Sequence, residues 1–484
     1  MQTRRIGIVA SGSSETIARV ILNDGEEKIV KVEDLILIKN RNGNDIFAVC
    51  RGGVGSNDNL KTGAYSPGVA YARRGQKPSH AKEFYEFKLS VIGDVTASLT
   101  QNKLILAPCS DVYIFEDGEN PMGYLGQGDI TIGYYKEHPN WSVPINPKFI
   151  PYHIGVFSVT GGGKSFLARY ELIPLLRKAG YDVLIFDWKG SDYAPHFDKV
   201  IDFSDIALDE DVILSYLMSK MDYFGYSGEY KQKNAIRDAL EDAIYETKWR
   251  EAATGELKDF LQREVIAILR SEHADKQGGV DSYGIRYIRK FRKSLKKLSE
   301  KDLNILGHLT PEDILKTVRE NHVAVIDISR TGKDEKLSIF LSIAKYFREI
   351  LEKKEKLNLA LLIDEGPQYC PFMPHGLEFD TTEIISELCA LGRSYNLSII
   401  LLSQGIAGEI GINASIRRNL NTQFIGKIHP LDLFEASQLL SALDLDPNFL
   451  VSLPEGHFYF LGNMNPSPVP LLITFSINKE KGST

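Results

Sequence analysis

Short apolar runs separated by turns rich in Gly, Asn and Asp dominate the first 115 residues. Many short strands at regular spacing are typical of a small β-barrel, which we predict for residues 1–115. Residues 52–72, rich in Gly, Ser and Asn, are expected to form a long loop, and the Gly- and Pro-containing segment 116–150 a linker. The runs that predict strands are 6–9, 28–32, 35–38, 46–49 and 103–108.

From residue 154 onward, apolar runs alternate with helical patterns. Uninterrupted apolar runs of this length indicate parallel strands that are buried on both faces. The alternation predicts the α/β fold class, with a doubly wound nucleotide-binding sheet over residues 151–204 and 322–484. Residues 205–321 have a mostly helical pattern, and we predict a helical subdomain inserted between two strands. The four apolar runs are 183–187, 323–328, 359–363 and 398–402.

A glycine-rich turn follows the apolar residues 154–159 and leads directly into a helical pattern. Strand, glycine turn, Lys-Ser and helix form the context of a P-loop, in which main-chain N–H groups and the helix dipole bind phosphate. The alternative is a strand-to-helix turn that carries Lys-Ser by chance. The residues predicted to bind the nucleotide are Thr160, Gly161, Gly162, Gly163, Lys164, Ser165 and Phe166.

Two pairs of residues predict the chemistry of this site. In a P-loop, Lys164 reaches the β- and γ-phosphates and the Ser165 hydroxyl ligates Mg²⁺. Asp364 and Glu365 end the apolar run 359–363, as expected of a Walker B strand. Asp364 would hold Mg²⁺, and Glu365 would orient and deprotonate the attacking water. The alternative for the acidic pair is a solvated turn.

Two further strand ends carry polar side chains. Gln404 follows the run 399–402, where ligands of open α/β sheets bind, and it could sense the γ-phosphate or position water. Asp187 ends the run 183–187 and could support the Mg²⁺ shell. The alternatives are a helix-capping turn at Gln404 and a tight turn with an N-cap at Asp187.

Arginines near these strands are candidates for catalysis across a subunit interface. In ring ATPases an arginine of one subunit completes the site of its neighbour. Arg393 is the first candidate, followed by Arg417 or Arg418. An ordinary surface arginine is the alternative in each case.

A basic amphipathic helix is predicted at 285–298. It carries seven Lys or Arg residues and no acid, although the whole chain has a formal net charge of −7. Nucleic-acid contact must therefore be local, and this helix could track phosphates or simply expose a solvated face. Its predicted apolar stripe comprises Ile285, Ile288, Phe291, Leu295 and Leu298.

The remaining composition indicates a soluble cytoplasmic protein. Four scattered cysteines without CxxC spacing are typical of reduced thiols rather than a metal site. The N-terminus lacks the apolar core of a signal peptide, and no stretch has the length of a membrane span. A length of 484 residues allows two or three domains.

The motifs together resemble the HerA branch of the HerA–FtsK ATPases over most of the chain. The residues that carry the resemblance are TGGGKS at 160–165, LLIDE at 361–365, LGRSYNLSIILLSQG at 391–405 and RRNLNTQF at 417–424. The N-terminal β domain resembles the HAS barrel of that family, and residues 457–475 resemble its late strands. The family often has Arg-His before the P-loop strand, whereas this chain has Tyr152 and His153 there.

The resemblance implies a RecA-like P-loop core and a homo-hexameric ring that moves double-stranded DNA through a pore using ATP and Mg²⁺. It also implies a NurA-like or other nuclease partner in DNA-end processing or phage defence, and no membrane partner. Lys164, Ser165, Asp364, Glu365 and Gln404 match the family positions, and Arg393 matches its arginine finger. Two alternatives remain open: a nucleotide-binding ring scaffold that recruits or gates a nuclease, and a conjugation-type DNA pump.

Overall fold

The computed structural model describes residues 3–61, 67–77, 83–116, 118–126, 128–208, 210–222, 230–245, 257–275, 278–298, 309–406, 408–440 and 445–476. The chain falls into two compact units. Unit 1 comprises Met1–Phe149, Phe157–Leu175 and Thr422–Thr484, and unit 2 comprises Ile150–Val156 and Leu176–Asn421. The domain boundaries expected from the sequence stay a prediction.

The described strands, in chain order, are β1 (Thr3–Val9), β2 (Ile17–Leu22), β3 (Leu35–Lys39), β4 (Asp45–Asn57), β5 (Glu83–Asp94), β6 (Asp111–Phe115), β7 (Thr131–Tyr135), β8 (Ser142–Pro144), β9 (Ile154–Phe157), β10 (Asp182–Asp187), β11 (Val200–Asp202), β12 (Val323–Asp327), β13 (Leu359–Ile363), β14 (Leu397–Ser403), β15 (Thr422–Ile425), β16 (Phe458–Gly462) and β17 (Leu471–Thr474).

The described α-helices are α1 (Pro67–Arg73), α2 (Lys164–Leu167), α3 (Ile173–Lys178), α4 (Glu210–Asp222), α5 (Tyr230–Tyr245), α6 (Leu257–Glu272), α7 (Ser282–Leu295), α8 (Pro311–Asn321), α9 (Lys333–Glu352), α10 (Leu377–Gly392), α11 (Ala414–Asn419), α12 (Leu433–Leu440) and α13 (Asn448–Val451). None of them combines the length and the apolar character needed to cross a bilayer.

Unit 1 contains the predicted barrel. Strands β1–β6 close in the order β1-β2-β5-β4-β3-β6 with antiparallel neighbours, and apolar side chains of every strand fill the interior. Closure removes the unpaired sheet edges that short strands would otherwise expose. Five further strands of this unit lie side by side in the order β15-β16-β17-β7-β8, with antiparallel neighbours.

Two of the predicted barrel strands are wrong. Residues 28–32 form no strand, because they follow directly from a short 3₁₀ helix that ends at Lys28. Val30 of this segment packs into the barrel core. Residues 103–108 form no strand, because side chains of Asn40 and Asn102 bind the main chain of this segment in place of a ladder. A buried apolar residue can thus come from a covering loop, which the alternation alone does not distinguish from a strand.

The expected loop and linker also differ from the structure. Strand β4 continues to Asn57 in register with β5, and Pro67–Arg73 forms α1, whereas residues 62–66 lie outside the described part. The segment 116–150 contains β7 and β8, and β7 pairs with β17. Pairing with a strand more than 300 residues later is a long-range contact that the local composition does not indicate.

Unit 2 is built on a parallel sheet, as predicted. The order β11-β12-β10-β13-β14-β9 places the three strands with polar ends, β10, β13 and β14, side by side. Because their carboxyl ends meet at one edge, the residues that follow them converge there. The four predicted strands are confirmed within one residue at either end.

Helices fill the described parts of the predicted insertion between β11 and β12. Helix α8, for example, begins with Pro311 at its first position and a reciprocal capping box between Thr310 and Asp313, and it ends where His322 adopts a left-handed conformation. These local signals satisfy the main-chain groups at both helix ends. Residues 223–229, 246–256 and 299–308 of this insertion lie outside the described part.

Candidate active site

The P-loop turn in unit 1 owes its shape to glycine. Gly161 and Gly163 have φ angles of 78° and 99°, a region that side chains disfavour. A Cβ on Gly162 would lie 2.1 Å from Ser158 Oγ and 3.1 Å from Val159 O. The main chain can therefore adopt this tight concave path only where all three positions lack a side chain.

Ser158 stands where the general P-loop pattern has glycine. It is absent from the described non-glycine residues with positive φ, so a side chain causes no backbone strain here. Its hydroxyl donates to the carbonyl of Lys427 at 3.0 Å. The departure from the motif is therefore accommodated by an ordinary backbone conformation and one added hydrogen bond.

Lys164 is buried at the start of α2. Its Nζ donates to the carbonyl oxygens of Ser158 at 2.8 Å and Val159 at 3.2 Å. These bonds hold the ammonium against its own loop, since a buried ammonium must be solvated by acceptors. The cation is thus placed within the turn that the glycines form.

The helix that follows the P-loop is irregular. Residues Ala168–Leu172 form a π-helical turn between α2 and α3, a feature that is common near functional sites. Phe166, 38% exposed, stacks on Tyr170, and the Arg169 guanidinium carbon lies 4.7 Å from the Phe166 ring centroid. A contribution of Phe166 to nucleotide binding stays a prediction.

In unit 2, Asp364 is the buried member of the acidic pair. It is 2% exposed, and its Oδ2 has no hydrogen-bond partner among the described residues. Burial, followed by the charges of Glu365, Asp192 and Asp187, raises the pKa of Asp364 to about 7. A carboxylate in these surroundings is stabilised by a cation.

Glu365 lies at the same strand edge and is bound on two sides. It adopts a left-handed conformation with φ 53°, a strained state that is typical of active sites. Gln404 Nε2 lies 3.0 Å from each of its carboxylate oxygens, and Lys189 Nζ lies 2.5 Å from Oε1. Two of the residues predicted from separate motifs, Glu365 and Gln404, are therefore in direct contact.

Asp187 organises the loop after β10. Although it is fully buried, its carboxylate accepts four main-chain N–H bonds, from Lys189, Gly190, Tyr193 and Ala194. Such bonds stabilise a buried carboxylate without a counter-ion. Its observed contacts are structural, and a role in the Mg²⁺ shell stays a prediction.

The candidate arginines have partners within their own chain. Arg393 donates to Asn419 Oδ1 at 2.9 Å, and its guanidinium carbon lies 5.4 Å from the ring centroid of Tyr152. Arg417 donates to the carbonyl of Ile406 at 2.9 Å, whereas Arg418 is exposed. The trans role of Arg393 stays a prediction.

The basic helix is present as α7, with one change to its predicted stripe. Ile288, Phe291 and Leu295 are buried as expected, but Ile285 is 58% exposed and Tyr287 is buried instead. Ile285 lines a groove of about 750 Å³ between α6 and α7, together with basic side chains. The cations that line this groove are Arg270, Arg289, Arg292, Lys293 and Lys296.

The residues present fit Mg²⁺. The orphaned, buried Oδ2 of Asp364 offers a hard oxygen ligand, whereas a role of the Ser165 hydroxyl in binding the metal stays a prediction. Over the described residues, no group of three or more His, Cys, Asp or Glu could hold a metal alone. That agrees with Mg²⁺, which is held by one or two carboxylates together with waters and substrate phosphates.

Sequence reasoning missed two residues of this region. Lys189 was given no role, although its position two residues after a strand-ending Asp and its charge were signals. His153 was noted only as the neighbour of Tyr152, the residue that departs from the family motif. It is buried with the Nε2–H tautomer, because Nδ1 accepts from Ile399 N at 3.1 Å and Nε2 donates to Cys389 O at 2.7 Å. Burial lowers its pKa to about 4.

Comparisons with known proteins give one family match and similarities in fold. Residues 130–347 match the family model described as Helicase HerA, central domain. VirB4 of Thermoanaerobacter pseudethanolicus is similar in fold, with a TM-score of 0.50 and 15% identity over 75% of this chain and 98% of VirB4. The bacterial conjugative coupling protein TrwB aligns with a TM-score of 0.47 and 15% identity over 76% of this chain and 92% of TrwB.

No curated protein matches the sequence. The match over residues 130–347 supports the predicted resemblance to HerA-like P-loop ATPases, and the similarity to VirB4 is one of fold.

Proposed function

We propose that the protein is an ATP-dependent translocase or helicase of double-stranded DNA. It acts as a homo-hexameric ring in the cytoplasm, with a NurA-like or other nuclease, in DNA-end processing or phage defence. The observation that carries the proposal is the contact between Glu365 and Gln404 beside the orphaned carboxylate of Asp364. A paired base and amide next to a cation ligand is the arrangement that water activation requires.

The residues divide the work of hydrolysis among them. Lys164 and the main chain of the glycine turn bind the β- and γ-phosphates. Mg²⁺, held by Asp364 and Ser165, would neutralise phosphate charge when bound. Glu365 accepts the proton of the attacking water, and Gln404 fixes the orientation of that carboxylate through its Nε2.

A ring is proposed because an arginine of a neighbouring subunit can neutralise the charge that develops in the transition state. Arg393, at the end of α10, is the candidate to act on a neighbouring subunit, and Asn419 and Tyr152 position its guanidinium. Arg393→Ala should reduce turnover by about 10³- to 10⁵-fold while nucleotide binding survives. Mixing it with Lys164→Ala protein should restore some activity, whereas full activity of a demonstrably monomeric sample contradicts the ring.

Duplex DNA is proposed to contact the groove between α6 and α7. Neutralising Arg289, Lys293 and Lys296 to Gln should lower the slope of log affinity against log salt by about 3, since each phosphate contact contributes about 0.9. The matched control replaces three exposed lysines elsewhere in unit 2, Lys316, Lys353 and Lys356. Equal slopes for both triple variants would place the DNA path elsewhere.

The proposal as a whole is tested by ATP turnover with and without long duplex DNA, beside a translocation assay on the same duplex. Wild type should hydrolyse ATP, respond to DNA and displace a block on the duplex. Lys164→Ala should lose all three activities, because it removes the cation that binds the phosphates. Turnover by Lys164→Ala near the wild-type rate contradicts the P-loop assignment.

A second candidate function is a nucleotide-binding ring scaffold that recruits or gates a nuclease. It is favoured by Tyr152, which takes the place of an arginine that the family often has. The Tyr152 ring packs against Arg393, the candidate for catalysis across the subunit interface. A scaffold would hydrolyse ATP slowly, assemble in a nucleotide-dependent way and show no movement along duplex DNA. The translocation assay therefore separates the two functions.

A further inference from the structure

Lys189 forms an ion pair with the predicted base that no motif anticipates. Its Nζ lies 2.5 Å from Glu365 Oε1, and the Lys189 side chain is 44% exposed whereas that of Glu365 is 11% exposed. A half-exposed cation thus covers a nearly buried carboxylate. Charge-assisted hydrogen bonds of this length are among the stronger ones in proteins.

The loop that carries Lys189 is fixed from two sides. Its main chain is bound by the buried Asp187 carboxylate. The preceding residue, Trp188, has its carbonyl bound by Lys336 Nζ at 2.8 Å, and its ring contacts both that ammonium and the ring of Tyr369. The approach of Lys189 to Glu365 is therefore built into the fold rather than being the chance position of a surface side chain.

The pair affects the chemistry of Glu365. A general base must present a lone pair to the water it deprotonates. Oε1 of Glu365 already accepts from Lys189 and from Gln404, and Oε2 accepts from Gln404. An ammonium at this distance competes with water for the oxygen and stabilises the carboxylate in its resting state.

We propose that Lys189 is a positioning residue that restrains Glu365 until a phosphate anion draws its ammonium away. The inference rests on the proposed role of Glu365 as the base. The half-exposed side chain can exchange one anionic partner for another, because a flexible stem carries its charge. The phosphate belongs either to the bound nucleotide or to the DNA backbone, and the experiment has one arm for each.

The test uses the full-length protein with Lys189→Met, which keeps the stem and removes the charge, and Lys189→Arg, which keeps the charge. Lys189→Met should raise kcat without DNA by about three- to tenfold. This factor corresponds to the free energy of an ion pair whose two side chains are only partly exposed to solvent. The KM for ATP should stay the same if DNA supplies the phosphate and rise if the nucleotide supplies it, and Lys189→Arg should restore the low basal rate. Lys333→Met is the matched control, since Lys333 is a similarly exposed lysine paired with Glu378.

Two arms identify the source of the phosphate. If DNA releases Lys189, duplex DNA should stimulate kcat less in Lys189→Met than in wild type. The stimulation factor should fall by the same factor by which the DNA-free kcat has risen. If the nucleotide releases it, the stimulation factor should be unchanged on the raised basal rate. Either result supports the restraint.

Other results overturn it. A fall in kcat for Lys189→Met would make the cation a requirement for turnover, and an equal rise in Lys333→Met would make the effect unspecific. A thermal unfolding curve for each variant separates loss of folding from loss of restraint. Glu365→Gln keeps the two proposals apart: turnover by that variant removes the base assignment, whereas an inactive Glu365→Gln beside an unchanged Lys189→Met removes the inference alone.

Discussion

The glycine turn of unit 1 and the acidic edge of unit 2 are built by opposite means. In the turn, side chains are excluded: a Cβ at Gly162 would meet Ser158 Oγ at 2.1 Å, and Gly161 and Gly163 have positive φ. At the edge, charged side chains are concentrated around Asp364 and Glu365. Backbone conformation thus defines the turn, and side-chain charge defines the acidic edge.

This difference matters for how mutations act. A change in the turn alters the conformation that the main chain can adopt, so it should act on nucleotide affinity. A change at the edge leaves the main chain in place and alters charge or proton transfer, so it should act on turnover or on pH dependence.

Glu365→Gln should reduce turnover by about 10²- to 10⁴-fold and leave nucleotide affinity near that of wild type. The amide keeps the shape of the side chain but cannot accept the proton of water. Single-turnover hydrolysis and equilibrium binding of a fluorescent nucleotide measure the two quantities. A parallel loss of affinity would remove the distinction between the turn and the edge.

Asp364→Asn should make the nucleotide-free, Mg²⁺-free protein more stable at high pH. The pKa of Asp364 is raised from 3.8 to about 7 in the folded state. Between pH 3.8 and about 7, the folded protein keeps a proton on Asp364 that the unfolded chain has released. The free energy of unfolding therefore falls as pH rises through about 7. The variant should gain on the order of 2–4 kcal/mol over wild type at pH 8 and far less at pH 4.

Urea unfolding at the two pH values measures this difference. Asp238→Asn on α5 is the control, because Asp238 is exposed in the same unit. A difference between Asp364→Asn and wild type that does not depend on pH would contradict the assigned cause, which is burial among carboxylates.

Gly162→Ala should weaken nucleotide binding by about 10- to 100-fold, the range that corresponds to an overpacking cost of about 1–3 kcal/mol. Adding Ser158→Gly to the same chain should recover part of the affinity, because the closest contact of the new Cβ is Ser158 Oγ. Gly123→Ala in unit 1 serves as the control, since a Cβ there meets nothing within 4 Å. Unchanged affinity in Gly162→Ala would show that the turn tolerates side chains.

Ser158→Gly alone should have the smallest effect. It removes one hydrogen bond to Lys427 O and should lower the free energy of unfolding by about 0.5–1.5 kcal/mol. Nucleotide affinity should stay the same, because the φ angle at this position does not require glycine. Tighter binding by the variant would indicate that the serine distorts the turn.

The sequence by itself determined the elements that depend on local pattern. The parallel strands β10, β12, β13 and β14 could be predicted within a residue because each is centred on a run of consecutive apolar residues. The glycine turn could be predicted because its conformation is a property of six consecutive residues. Asp364, Glu365 and Gln404 could be placed at one edge because carboxyl ends of parallel strands coincide.

The tertiary structure alone decided which side chains meet. Tyr152 stacks on Arg393, and Lys189 meets Glu365, across gaps of more than 170 residues that no local pattern connects. The same holds for β7, which the composition indicated as part of a linker and which pairs with β17. Packing of distant segments sets these contacts, because the free energy of a buried charge or a strand edge depends on its neighbours in space rather than in sequence.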